Sequence, residues 1–181
     1  MFGAGMHHDP RLSSRRTAVV NWGHSRVQLG VLVQFRFAPE RWFCLPILFR
    51  LYRSRQTVTK HGGSYRTRPE LALELLHRRG TRCPRQRFHA VADAAYGGQN
   101  VLKYLPRNCH LTSRLAMDAR LDDAPPPRRR GQGGRPRMRG RRLPTPDQML
   151  QPRARRLTLH IYGRDDRVRI AAALARVHAV P

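Results

Sequence analysis

The sequence predicts an α/β fold, with antiparallel strands in its first half and parallel pairing in its second. Three observations carry this. Residues 26–37 (RVQLGVLVQFRF) alternate, with Val27, Leu29, Val31, Val33, Phe35 and Phe37 on one face. Residues 67–80 carry an amphipathic helix with start and stop signals. The runs 87–93 (RFHAVAD) and 109–115 (CHLTSRL) flank a short helical segment, giving a strand, helix, strand, helix, strand series.

Residues 1–16 are polar and basic. Residues 17–22 (TAVVNW) are β-branched enough for a short strand, and Gly23, His24 and Ser25 supply a turn. The alternating strand 26–37 follows. After Pro39, residues 42–48 read as a further strand or a buried segment. Thr67 and Glu70 form a capping box, and Pro69 suits the first turn. Leu71, Ala72, Leu75 and Leu76 make the apolar stripe, and Glu74 sits four residues before Arg78. Gly80 is the expected stop, and Pro84 bars continuation. After the strand 87–93, Tyr96, Gly97 and Gly98 bend the chain, and 99–105 (QNVLKYL) form a helix that Pro106 ends.

Composition changes after Asp123. Residues 124–146 mix six prolines and several glycines with a run of arginines, which buries no core and is expected to be flexible when free. Residues 157–162 (LTLHIY) then alternate as a strand, and Gly163, Arg164 and Asp165 read as a turn. Residues 167–180 fit a strand as far as Ile170, which makes a hairpin, or a helix through the alanines.

The chain has 181 residues and a formal net charge of +25. Of its 36 basic residues only Lys60 and Lys103 are lysine. Arginine forks onto phosphate and stacks on bases, so a polyanionic partner, most simply nucleic acid, is expected. Coding bias is the plainer explanation for so much arginine. Cys44, Cys83 and Cys109 form no CxxC pair, which argues against a disulfide framework or zinc knuckle. The start lacks the apolar core of a signal peptide. The most apolar stretch, 42–51, is too short to cross a bilayer, so a cytoplasmic protein without membrane contact is expected.

Only eleven carboxylates are present. Glu70 and Glu74 are explained by capping and helix pairing, Asp9 and Glu40 by turns next to proline. Asp118, Asp122, Asp123 and Asp147 border the basic loop, and Asp165 and Asp166 fall in the expected hairpin turn. Asp93 differs: it ends a buried-looking strand before small residues and a Gly-Gly bend. Ligands in open α/β sheets sit outside the carboxyl ends of strands. A lone aspartate at such a point also serves as a plain helix cap, and spacing alone leaves both roles open.

The segments GMHHDPRLSSRRTAVVNWGHS, KHGGSYRTRPELALELL, RFHAVADAAYGGQNVLKYLP and CHLTSRLAMDARLDDAPPP together resemble bacterial insertion-sequence transposases of the DDE type, over nearly the whole chain. The resemblance implies a ribonuclease H-like fold, a mixed sheet with flanking helices, and DNA strand cleavage and transfer. It implies two Mg²⁺ ions held by three carboxylates. The second of these matches Asp93 in HAVADAAYGG, the implied catalytic and metal-binding residue. The first and third have no counterpart. The expectation is therefore a core truncated at both ends and inactive alone, since one carboxylate does not hold two such ions. On this reading 1–123 are a partial ribonuclease H-like core, 124–156 an Arg/Pro/Gly-rich loop and 157–181 the start of a β-rich insertion. The intact family is further expected to dimerise on DNA ends.

Arg128, Arg129, Arg130, Arg135, Arg137, Arg139, Arg141 and Arg142 are the candidate DNA contacts, set to follow a phosphate backbone. The alternative is a solvated loop with no partner. His7, His8 and Asp9 have metal-ligand chemistry, but neighbours on an extended chain point apart. Trp22, Trp42, Phe35 and Phe37 are suited to base stacking, and their alternation with aliphatic residues favours core packing instead. A non-enzymatic basic nucleic-acid-binding protein is the competing reading of the whole chain.

Overall fold

The computed structural model describes residues 4–9, 12–14, 16–150, 154–161, 163–173 and 175–177. Its strands are β1 (Gly5–His8), β2 (Val20–Gly23), β3 (Ser25–Phe35), β4 (Ala38–Tyr52), β5 (Phe88–Ala92), β6 (Cys109–Ser113), β7 (Leu121–Asp122), β8 (Arg155–Ile161), β9 (Arg164–Ile170) and β10 (Arg176–Val177). Its helices are α1 (Arg55–His61), α2 (Arg68–Arg82), α3 (Gln99–Leu102) and α4 (Pro146–Met149), with a 3-10 turn at Ala94–Tyr96. The fold is mixed α/β. The described strands form five two-stranded sheets: β1/β2, β3/β4, β8/β9 and β7/β10 antiparallel, and β5/β6 parallel. The change from antiparallel to parallel pairing falls where the helical crossover between 93 and 109 was expected to put it.

The helix α2 organises the core. Thr67 accepts from the Glu70 backbone N–H, and the Glu70 side chain accepts from Thr67, the reciprocal box the sequence announces. The stripe residues Leu71, Leu75 and Leu76 are buried. Leu71 and Leu75 pack with Val27 of β3, and Leu29, Leu48, Tyr52, Ala72 and Tyr96 close around them. The helix does not stop at Gly80. It runs to Arg82, and Gly80 is buried in close contact with Pro106 and Asn108. The glycine therefore allows a close approach rather than a left-handed cap.

The strand expected from residue 17 begins only at Val20. Ser13 grips Val19 through its hydroxyl in both directions, and the Ser14 N–H donates to Thr17 O, so 17–19 belong to a side-chain-stapled loop. Residues 5–8, which carry no strand signal, pair with β2. The stretch 42–48 sits inside the 15-residue β4, and Pro46 is tolerated because the register slips between Leu29 and Gly30 opposite it. The helix α1 was not anticipated; its only local signal is Ser54, whose hydroxyl caps the Thr57 N–H.

The expected one-sided burial of 26–37 is a correction. Val27 is buried, but Val31 is 41% exposed and Phe37, in the hairpin turn, 81%. Trp22 and Trp42 are also exposed, at 67% and 64%, so these aromatics are not core residues, although Phe35 stacks on Phe37 and meets Phe43 edge-on. The cause is layering. The helix α2 covers only the Val27 end of the β3/β4 hairpin, and no described element covers the far end. The strand before Asp93 is likewise not buried: Val91 is 74% exposed. An apolar gap of about 160 Å³ separates Val27 and Leu29 of β3 from Ala90 and Ala92 of β5, floored by Leu75 and Leu76.

Past the core, the arginine-rich stretch leaves and returns at one point. Asp122 bridges to Arg142, the Asp123 N–H donates to Arg141 O, and the Leu143 N–H to Leu121 O. Asp122, at the border of the stretch, ends β7 and is buried, in register with Arg176 of β10. The stretch ends in a second capping box, Thr145 with Gln148, at the start of α4. The hairpin β8/β9 forms as the alternation indicates, with Gly163 at φ +79° in its turn. Asp165 and Asp166 lie within β9, not in the turn. Tyr162, Leu174 and Val180, part of the expected strands there, lie outside the described residues.

Candidate functional site

Asp93 follows the last residue of β5. Ala92 is in register with Ser113, so the carboxyl ends of both parallel strands reach the same edge beside it. The Ser113 hydroxyl donates to the Asp93 carbonyl at 2.5 Å, tying the two strand ends together. Gly97 makes that approach possible, because a side chain there would meet Ser113 Oγ and the Arg114 carbonyl. The Asp93 backbone is extended, and its Oδ1 accepts from the Ala95 N–H at 2.9 Å, capping the 3-10 turn. Asp93 is exposed at the strand end, and its Oδ2 is not used by that cap. Behind it stands Tyr96, packed on the core cluster. Burial raises the Tyr96 phenol pKa, the Asp93 charge adds to the rise, and Arg68 opposes it.

Several other carboxylates are engaged elsewhere. Glu74 Oε1 takes two hydrogen bonds from Arg50 and Oε2 one from Arg66. The Arg50 hydrogen bond holds Glu74 below the usual carboxylate range. Glu70 is also held low, first by the Thr67 N–H and then by its hydroxyl. Asp166 faces Arg164 and Asp165 faces His160. His7 and His8 alternate across β1, while Asp9 receives the Asn21 amide, so the three do not converge. Burial, then Arg68, lowers the His7 pKa. Among the described residues no three histidines, cysteines or carboxylates gather to hold a metal ion. Asp93 alone is a donor set too small for a pair of divalent ions, which need several oxygen ligands each.

All eight candidate arginines, 128–130, 135, 137, 139, 141 and 142, are exposed. They do not all project freely. Arg128 donates from Nε and Nη2 to the Gln132 carbonyl and from Nη2 to Gly134, folding back on its own loop. Sequence reading did not single out the arginines of β8 and β9, which become legible only once the strand register is known.

The carboxyl end of a parallel pair is where ligands sit in open α/β sheets, and the basic stretch beyond it suits a polyanion. The chain belongs to the DDE superfamily endonucleases, whose family model matches residues 12–178. The family implies DNA as the substrate and generally uses divalent metal ions. No curated protein and no solved structure matches the chain. No helix among the described residues is long and apolar enough to cross a membrane.

Proposed function

We propose that this chain is the DNA-handling part of a DDE transposase catalytic domain of the bacterial insertion-sequence kind, acting on DNA in the cytoplasm. The observation that carries the reading is the place of Asp93: immediately past β5, at the shared carboxyl edge of β5 and β6, inside a family match that spans both strands. On this reading 1–123 belong to a ribonuclease H-like core, 124–156 are an Arg/Pro/Gly-rich loop whose arginines 128–130, 135, 137, 139, 141 and 142 contact DNA, and 157–181 belong to a β-rich insertion. Asp93 supplies one carboxylate of the metal set. Because its neighbours do not complete that set, no cleavage step is assigned to these residues by themselves.

The test is duplex binding by the full chain, followed by fluorescence anisotropy across a salt series. The chain should bind duplex DNA with a steep salt dependence. Replacing Arg128, Arg129 and Arg130 by alanine should reduce the slope of log affinity against log salt by up to about 2.7, at about 0.9 per lost phosphate contact. Absence of duplex binding at low salt overturns the reading. Mg²⁺-dependent cleavage or strand transfer by the wild-type chain, abolished in Asp93→Ala, overturns the incomplete site. That no metal-ligand cluster forms among the described residues also fits a non-enzymatic basic nucleic-acid-binding protein. Equal affinity for unrelated duplexes and for the ends of a mobile element would favour that second reading.

A further inference from the structure

We propose that the β8/β9 hairpin is a second DNA contact, a two-stranded ribbon that presents Arg156, Arg167 and Arg169 to the major groove of duplex DNA. This rests on the DNA reading above and adds a surface separate from the 128–142 loop.

The register fixes which side chains share a face. Residues directly opposite in an antiparallel pair lie on the same side, and sides alternate along each strand. One face of the ribbon therefore holds Arg156 opposite Arg169, Thr158 opposite Arg167, and His160 opposite Asp165. All six of these residues are exposed. The other face holds Arg155 opposite Ile170, Leu157 opposite Val168, Leu159 opposite Asp166 and Ile161 opposite Arg164, with Leu157, Ile161, Asp166 and Val168 half-buried and the other four exposed. The ribbon is thus amphipathic, with a basic outer face.

The two faces carry different numbers of unpaired arginines. On the half-buried face Arg164 is paired with Asp166 at 3.3 Å, and Arg155, at the start of β8, has no ion pair among the described residues. On the outer face the one acid, Asp165, is taken by His160 Nδ1 at 2.8 Å, next to the turn. Arg156, Arg167 and Arg169 have no ion pair among the described residues. Arg156 and Arg169 stand directly opposite each other, and like charges so placed destabilise a ladder. A two-stranded hairpin is marginal to begin with. A polyanion laid on this face turns that repulsion into binding energy.

Shape selects the kind of polyanion. Each strand has seven residues, about 23 Å at about 3.3 Å per residue. The major groove of B-DNA, about 12 Å wide, admits a two-stranded ribbon, and its guanine edges accept the arginine fork at O6 and N7. The major groove of duplex RNA is too narrow for side chains to read. The face is therefore assigned to duplex DNA rather than duplex RNA.

The experiment uses the full chain with a labelled, guanine-containing duplex. Affinity is read by anisotropy, and major-groove occupancy by protection of guanine N7 from dimethyl sulfate. Wild type should protect N7. Arg167→Ala with Arg169→Ala should lose the protection and about tenfold or more in affinity. Arg155→Ala with Arg164→Ala, which removes the same charge away from the outer face, should keep the protection. Arg167→Lys with Arg169→Lys should keep the salt slope and lose the protection, because lysine lacks the fork. Circular dichroism confirms that each variant folds as wild type does. Equal losses in the two alanine pairs, absence of N7 protection in wild type, or equal affinity for duplex RNA would overturn the ribbon. If binding still depends on Arg128, Arg129 and Arg130 but ignores the ribbon variants, the ribbon falls and the DNA reading stands. If no duplex binds at all, both fall.

Discussion

Arg50 of β4 donates from Nε at 2.7 Å and from Nη2 at 2.6 Å to the same oxygen, Oε1, of Glu74 on α2. This pairing clamps the long hairpin to the helix above the Val27, Leu71 and Leu75 cluster. Arg66 adds a hydrogen bond to Oε2, and Arg78 an ion pair at 3.2 Å to Oε1 from the next turn. The sequence announces the Arg78 partner four residues away; the stronger Arg50 partner lies 24 residues back and needs the tertiary fold.

Replacing Glu74 by glutamine should cost roughly 1.5–3 kcal/mol, the range for hydrogen bonds to charged groups, measured by urea unfolding. The pH dependence follows from the direction of the shift. Arg50 holds the folded-state pKa of Glu74 below its ordinary 4.5. A depressed carboxylate contributes stability in full above its ordinary value, and loses it as pH falls through the folded value. Wild-type stability should therefore decline below about pH 4.5, and the Glu74→Gln chain should decline less. Parallel acid curves for the two chains would show that the clamp contributes little.

Asp93 has a structural duty that any functional test must separate from its chemistry. Its Oδ1 caps the Ala95 N–H. Asparagine caps as well as aspartate does, so Asp93→Asn should unfold within about 0.5 kcal/mol of wild type, whereas Asp93→Ala should lose about 1 kcal/mol. Any DNA or metal phenotype shared by both variants then belongs to the charge, and one seen only in Asp93→Ala belongs to the turn. Equal stability of all three chains in denaturant would show that the cap is energetically idle.

The two tryptophans, read from sequence as core, are expected to behave as surface residues. Trp22 on β2 and Trp42 on β4 are 67% and 64% exposed, and Leu32, Phe37 and Phe49 of the β3/β4 hairpin are exposed as well. Iodide should quench most of the tryptophan emission of the native chain. So large an exposed apolar surface should also bind a hydrophobic dye and limit solubility. Emission shielded from iodide, together with a sharp cooperative melt, would contradict the exposed arrangement.

What could be read in advance followed local rules. The α2 capping box, the parallel relation of β5 and β6 and the β8/β9 hairpin each rest on residues close in sequence. What could not be read depends on who covers whom. The alternation of 26–37 shows that one face is apolar, but not that α2 covers only the Val27 end of it. Asp93 stands out by elimination because the other carboxylates have local explanations, yet the burial of Asp122 comes from pairing with strands far along the chain. The arginines of β8 and β9 look like scattered charge until the register puts three of them on one face.

Gly80 gives the sharpest test of that distinction, because helix propensity and packing predict opposite signs there. It lies inside α2 rather than at the stop the sequence suggests, and helix propensity alone would favour alanine by about 0.8–1 kcal/mol. In the structure a Cβ at Gly80 would lie 2.9 Å from Asn108 Oδ1 and 3.2 Å from Pro106 Cβ. Asn108 has little room to yield: its amide donates to the carbonyls of Gly80, Cys83 and Gln86, which fastens the end of α2 to the approach of β6. Pro106 is buried and stiff. The steric cost of overpacking, typically about 1–3 kcal/mol, should exceed the propensity gain. Gly80→Ala should therefore destabilise the chain in urea, and Gly80→Ala combined with Asn108→Ala should not recover wild-type stability, because the three carbonyls lose their donor. A stabilised Gly80→Ala chain would mean that α2 and the 106–108 corner do not meet as described.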